Sequence, residues 1–365
     1  MTYNPSSPSK SLPVEAWTKA MLKHAADPAN QINDDPFGYK PLRQAIADYL
    51  ERTRDICASP ERIILFSRSL QPLNFITRLL LSEGDKVIVE NPGFRFAGQT
   101  FASQGACLEP IDIDCEGIKI DLVAEASEQA KIIYLSPSHQ NPTGVRLSAQ
   151  RRSELLQLAN GHMNGHSCFI IEDDTDCEYN YHSTNLPALV SSDTNDGVIY
   201  YNSFWKTLSP LVDIGYLILP KNLVAEVNHG LINNAADKGT AISLSEQKAL
   251  CDFLNEGHLE KNIEENKPVF YQAYQNLHDA FDKQFGSKIE FSSEPSGLHT
   301  MLTFKTTKND TEIVNAAHRA ALPLLPTSDY YYEHRPTRQY IVPFAELLET
   351  DCDNLIHTFF TELHK

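Results

Sequence analysis

The sequence predicts an α/β fold: a large domain whose mostly parallel seven-stranded sheet is covered by helices, plus a smaller α+β domain built from both termini. Three observations predict it. Seven short apolar runs recur through the middle of the chain, helical patterns separate several of them, and both ends lose this alternation. At 365 residues the chain also exceeds the size at which one hydrophobic core usually stops growing.

Residues 1–10, "MTYNPSSPSK", are polar and rich in Pro and Ser, and read as a flexible lead-in. Residues 11–45 are expected to form the N-terminal part of the small domain, and "PLRQAIADYLERT" (41–53) an amphipathic helix. Residues 46–250 are expected to form the large domain. Its apolar runs are "RIILFS" (62–67), "KVIVE" (86–90), "ACLEPI" (106–111), "KIIYLS" (131–136), "CFIIED" (168–173), "GVIYYNS" (197–203) and "GYLILP" (215–220). They are rich in β-branched and aromatic residues and bounded by Gly, Pro, Asp or Ser, as buried strands are. Between them, Leu73, Ile76, Leu79 and Leu80 share one helical face, and Leu155, Leu156 and Leu158 another. A long helical stretch from about Ser245 to Lys283, broken near Pro268, leads into the final domain, residues 251–365. There "KIEFSS", "LHTMLTF" and "RQYIVPF" read as strands.

Composition excludes several classes. Hydrophobic content of 41% supports a real core. No apolar run reaches membrane-spanning length, and the N-terminus carries no apolar signal segment. A net charge of −17 argues against a nucleic-acid surface. Seven cysteines, an odd number without a CxxC pair, suit reduced thiols in a cytoplasmic protein.

In open α/β sheets, ligands bind outside the carboxyl ends of the strands. Ser67, Arg68 and Ser69 follow the first run and precede a helix start, where free N–H groups can take an anion. Phe94 follows the second run, Asn141 lies in the "SPSHQNPTG" loop, and Asp173 ends "CFIIED". Ser203 and Lys206 follow the sixth run in "SFWKTLSP". Each has an ordinary reading as well. Asp173 and Asp174 could lie in a solvated acidic loop or chelate a divalent cation. Asn141 could only shape its turn, Phe94 could be core, and Ser69 a cap. Together, a lysine, a carboxylate, an amide, an aromatic ring and a helix N-terminus suit pyridoxal 5'-phosphate, and no metal is expected.

The ordered set "SLPVEAW", "DPFGYKPLRQAIADYL", "LSPSHQNPTG", "FIIEDDTDCEY" and "SFWKTLSP…IGYLILP" resembles the fold-type I aminotransferases, most closely the aminotransferase-like domain of MocR-type regulators. The resemblance runs from about Ser11 to Lys365. It implies that Lys206 is the Schiff-base lysine and Asp173 the partner of the pyridine nitrogen. Asn141 would meet the phenolic oxygen, Phe94 would stack on the ring, and the Ser67–Gln71 loop would hold the phosphate. It also implies a homodimer, an amino acid or 2-oxo acid as the small-molecule partner, and substrate contacts near Gly38 and Arg338. The regulators carry a winged helix–turn–helix ahead of this domain. Only about ten residues stand there, so a free-standing protein or an excised domain is expected.

The sequence departs from the family's pattern around one group. Trp205 stands where a phosphate-contacting serine or threonine is usual, Asp213 where an arginine grips the phosphate, and Arg68 where a small residue is usual. Thr175 replaces a tyrosine, and Ile341 aligns with the arginine that clamps a substrate carboxylate. A phosphate near Asp213 would meet repulsion of about 4 kcal/mol per charge pair at about 4 Å, with an effective dielectric near about 20. The exchange of charge between positions 68 and 213 leads to the expectation that Arg68 takes over the phosphate. The competing arrangement is an Arg68–Asp213 pair that closes the pocket.

Overall fold

The computed structural model describes residues 11–25, 35–126, 129–160, 168–182, 184, 186–233, 242–333 and 336–365; the expected lead-in over 1–10 lies outside them. All seven apolar runs form strands: β1 (Ile63–Phe66), β2 (Lys86–Asn91), β3 (Cys107–Asp114), β5 (Ala130–Leu135), β6 (Phe169–Asp173), β7 (Val198–Ser203) and β8 (Gly215–Ile218). An eighth strand, β4 (Gly117–Ile118), extends the sheet to the order β1-β8-β7-β6-β5-β2-β3-β4. Two residues are too short to show a period, so the sequence carried no signal for β4. Gly117 makes the hairpin with φ +99, and a Cβ there would lie 2.8 Å from the Leu147 side chain.

The ladders β3–β2–β5–β6–β7 are parallel, whereas β8 runs antiparallel to both β7 and β1. Hence β1 points the same way as β7. The last residues of β1, β2, β5, β6 and β7 and the first residue of β8 share one rim. Alternation puts neighbouring side chains on opposite faces. Ile132 and Ile171 pack with Leu73 and Ile76 of the helix Gln71–Leu80, while Ile133 and Ile170 pack with Leu155 and Leu156 of the helix Ala149–Asn160. Both faces are therefore covered, which is why the central strands read as continuous apolar runs.

The second sheet is antiparallel, ordered β11 (Leu325–Pro326), β12 (Gln339–Val342), β10 (Thr300–Phe304) and β9 (Ile289–Phe291). The long helical stretch is two helices, Leu244–Asn255 and His258–Phe285. The break falls at Gly257, which takes the left-handed conformation (φ 71), while Pro268 sits inside the second helix. The proline costs that helix one backbone hydrogen bond. Burial of Phe270, Leu277 and Phe281 against the small sheet outweighs it. Helix Val14–Ala25 packs on Leu244–Asn255, with Trp17 edge-on to Phe253. Among the described residues no helix is long and apolar enough to cross a membrane.

The helix Asp310–Ala320 opens with a capping box, Asn309 accepting from the Glu312 amide and Glu312 from the Asn309 amide. Asn309→Ala is expected to lower the unfolding free energy by about 1 kcal/mol, measured by urea titration. A change within error would show that water replaces the cap.

Candidate active site

The shared rim collects six of the residues expected to bind the cofactor. Ser69, Phe94, Asn141, Asp173, Ser203 and Lys206 line one cleft, together with His139, Thr175, Asp176, Tyr201 and Trp205. Lys206 lies in the short helix Trp205–Leu208 that follows β7 and is 2% exposed. Its Nζ is 2.9 Å from Asp176 Oδ2. Burial alone would push the Asp176 carboxyl up; the Lys206 charge, with His139 and His299, pulls it below the usual range.

A local turn makes this pairing. Asp173 Oδ1 accepts from the Thr175 amide (3.2 Å) and hydroxyl (2.7 Å), the Asx geometry that reverses a chain. The reversal brings Asp176 back under Lys206. Asp173 Oδ2 accepts from the Tyr134 hydroxyl. Burial raises the Asp173 carboxyl to about 6 against these hydrogen bonds.

The loop after β5 is tied from within. Gln140 donates to the Pro92 carbonyl (2.8 Å) and accepts from the Thr143 hydroxyl (2.6 Å), and Gly144, at φ +75, closes the turn onto the Gln140 carbonyl (2.7 Å). Asn141 is held at the cleft with its Oδ1 buried and unpartnered among the described residues. His139 meets His299 edge-on, and Nδ1 of His139 faces the Ser296 hydroxyl. Burial lowers these imidazoles to about 4 for His139 and about 3 for His299. Both are neutral at neutral pH.

The anion end differs from either expected arrangement. Asp213 Oδ1 accepts from the Ser69 amide at 2.8 Å, filling the loop ahead of helix Gln71–Leu80. Arg68 is exposed, does not line the cleft and forms no ion pair among the described residues. The expectation that Arg68 replaces the lost phosphate cation is therefore corrected, and so is the Arg68–Asp213 pair. A backbone N–H one residue away satisfies the carboxylate with less loss of side-chain freedom than a long arginine would need. Ser67 is also outside the lining; its amide and hydroxyl both donate to Gln71 Oε1 (3.1 and 2.9 Å).

Neither expected substrate contact lines this cleft. Gly38 adopts φ +101 against Leu65, where a Cβ would come within 2.6 Å of that side chain. Arg338 donates from Nη1 to the Thr306 carbonyl, and its amide bonds Asp310 at 2.7 Å. Sequence reasoning missed Asp176, His139 and Tyr134. The run "EDDTDCE" shows five acids but not which one the turn redirects.

Glu90, one residue before the end of β2, lies behind the same loop, 3% exposed, accepting from the Ser136 amide at 3.0 Å. Burial pushes its carboxyl up to about 8. The unfolded value is about 4.3, so between about 4.3 and 8 the folded chain holds a proton the unfolded chain lacks. Stability from that proton is present in acid and lost as pH rises through about 8. Glu90→Gln is expected to flatten the fall in unfolding free energy between about pH 5 and about pH 9. Urea titrations across pH that show an unchanged slope would reject it.

The comparisons with known proteins agree with this architecture. Residues 2–313 match the family described as aminotransferase class I and II. The chain is 26% identical over 352 residues to the probable rhizopine catabolism regulatory protein MocR of Rhizobium meliloti, covering 94% of this chain and 69% of that protein. It is 29% identical over 306 residues to aromatic-amino-acid aminotransferase 1 of Thermococcus litoralis, covering 78% of this chain and 70% of that one. The solved Pyrococcus horikoshii kynurenine aminotransferase, in complex with PMP, superposes with a TM-score of 0.84 at 22% identity, over 98% of this chain and 90% of that one. A family match over most of the chain, on a fold whose strand ends gather Lys206, Asp173 and Asn141 at one cleft, places this protein in the class I and II aminotransferase family.

Proposed function

We propose that the chain transfers amino groups through Lys206, between an amino acid and a 2-oxo acid, as a cytoplasmic homodimer that contacts neither nucleic acid nor membrane through this domain. The observation that carries this is a lysine amine buried at the strand ends, in one cleft with Asp173 and Asn141. The family's aminotransferase members and the net charge of −17 support it.

The residues fit the ring of a pyridoxal-type cofactor. Asn141 offers a buried polar group with an unsatisfied atom, Phe94 an aromatic face, and Asp173 a carboxylate. The residues do not fit its phosphate, because Asp213 occupies the Ser69 amide. A bound pyridoxal ring would supply the electron sink that acidifies the Cα–H of an amino acid. Lys206 would hold and move a proton at Nζ, with Asp176 as its resting counter-ion. Asp173, walled by Tyr134 and Tyr201, keeps a fixed acceptor away from water.

The test is borohydride trapping with pyridoxal and with its phosphate ester, followed by peptide mass mapping and an amino-transfer assay. Modification at Lys206, absent in Lys206→Ala, is expected. No modification with either aldehyde would overturn the assignment.

One observation favours a second reading, a ligand-binding domain without turnover. No arginine is among the residues lining the cleft, and Ile341, aligned with the family's carboxylate clamp, is buried in β12. Steady transamination would exclude it.

A further inference from the structure

Resting on the assignment of Lys206, we infer that the cleft selects an unphosphorylated pyridoxal-type ligand, with Asp213 standing where a phosphate would bind. Three observations converge on this end of the cleft. Asp213 Oδ1 takes the Ser69 amide at 2.8 Å, the donor that a phosphate at this loop would need. Glu246, at the start of helix Leu244–Asn255, lies close enough that the Asp213 charge adds to burial in raising its carboxyl. Asp213 and Glu246 are not themselves in the cleft lining; Asp213 reaches it through the Ser69 amide, Ser69 being a lining residue, while Arg68 is exposed and no ion pair neutralises Asp213 among the described residues.

Trp205 completes the exchange. Its indole lines the cleft beside Lys206, with Nε1 buried and unpartnered among the described residues. An indole N–H donates to a hydroxyl oxygen, and a hydroxyl can in turn donate to a carboxylate. A phosphate dianion has only acceptors at neutral pH and cannot bond Asp213. A hydroxymethyl group, as on an unphosphorylated vitamer, can both accept from an indole N–H and donate to a carboxylate.

The experiment is titration calorimetry of the full chain with pyridoxamine and with pyridoxamine 5'-phosphate. These amines bind without reaction at Lys206, so the readout is independent of the trapping experiment. The unmodified protein is expected to bind pyridoxamine at least as tightly as the ester. Asp213→Asn keeps an oxygen that accepts from Ser69 and removes the charge. It is expected to shift the ratio of dissociation constants about a hundredfold to a thousandfold toward the ester, the scale of one close charge pair near a protein surface. Thermal unfolding of the variant checks that it folds, and Asp213→Ser provides a second neutral residue at the same place. Tighter binding of the ester by the unmodified protein overturns the inference, as does an unchanged ratio in a folded variant. Binding of neither amine also overturns it, whereas the role of Lys206 stands or falls on trapping.

Discussion

Lys206→Ala is expected to lower the unfolding free energy by about 3–5 kcal/mol, besides abolishing covalent trapping. The reason lies in what remains. Asp176 is 7% exposed, and Lys206 Nζ at 2.9 Å is its ion-pair partner. Removing the lysine leaves a carboxylate buried beside two neutral imidazoles. In the intact pair Lys206 holds the Asp176 carboxyl below its usual range, so the pair's contribution is present above the unfolded value of about 3.9 and lost as pH falls. Without Lys206, burial raises the same carboxyl and the sign reverses: the variant loses stability as pH rises. The deficit should therefore widen from about pH 5 to about pH 8. Lys206→Ala with Asp176→Asn should recover most of it, since the amide carries no charge to bury. Urea titrations of the four proteins give the coupling directly. Additive effects of the two substitutions would show that the pair does not hold the site together.

Much of this arrangement is legible in the sequence. Ile132 and Ile133 must face opposite sides of a strand, and the helices flanking "KIIYLS" supply an apolar cover for each. Chain direction then forces Asp173, Ser203 and the Asn141 loop to one rim, so the cleft follows from topology. What the sequence could not carry are distances set by single turns. Asp213 reads as a substitution for a cation. Only the approach of β8 to the Ser67–Gln71 loop, with Gly215 paired to Phe66, shows that it caps a backbone amide instead. Pro268 reads as a helix break because its missing N–H is local, whereas the burial that tolerates it comes from residues far along the chain. Arg338 shows the same limit. Its neighbour in sequence, Gln339, begins β12, but a left-handed φ of 60 at Arg338 turns the guanidinium to the Thr306 carbonyl.

Arg54→Met is expected to destabilise the protein by about 3–5 kcal/mol and to slow trapping at Lys206, although Arg54 does not line the cleft. Arg54 ends the helix Lys40–Arg54 and reaches under the strand ends. Its Nε and Nη2 lie 2.9 and 2.8 Å from Asp174 Oδ2, and Nη2 also donates to the Ser138 hydroxyl at 3.0 Å. The Asp174 side chain is wholly buried, and the Tyr200 hydroxyl donates to the same oxygen at 2.9 Å. Burial by itself disfavours the guanidinium charge, and the Asp174 carboxylate more than offsets it, holding Arg54 protonated. With methionine at 54, Asp174 keeps the Tyr200 hydroxyl but loses its ion-pair partner. Asp174 sits between Asp173 and Asp176, so a shift of its backbone turns both neighbours away from Lys206. Arg54→Lys should be intermediate, because one ammonium cannot reach Asp174, Ser138 and the Leu186 carbonyl together. Arg54→Met with Asp174→Asn should regain stability, since no charge then stays unpaired. Trapping rates should follow the same order, with Arg54→Met slowest. If Arg54→Met unfolds at the same urea concentration as the parent, the pair is no anchor. If it is destabilised yet traps at the parent rate, the turn from Asp173 to Asp176 holds its shape without Arg54.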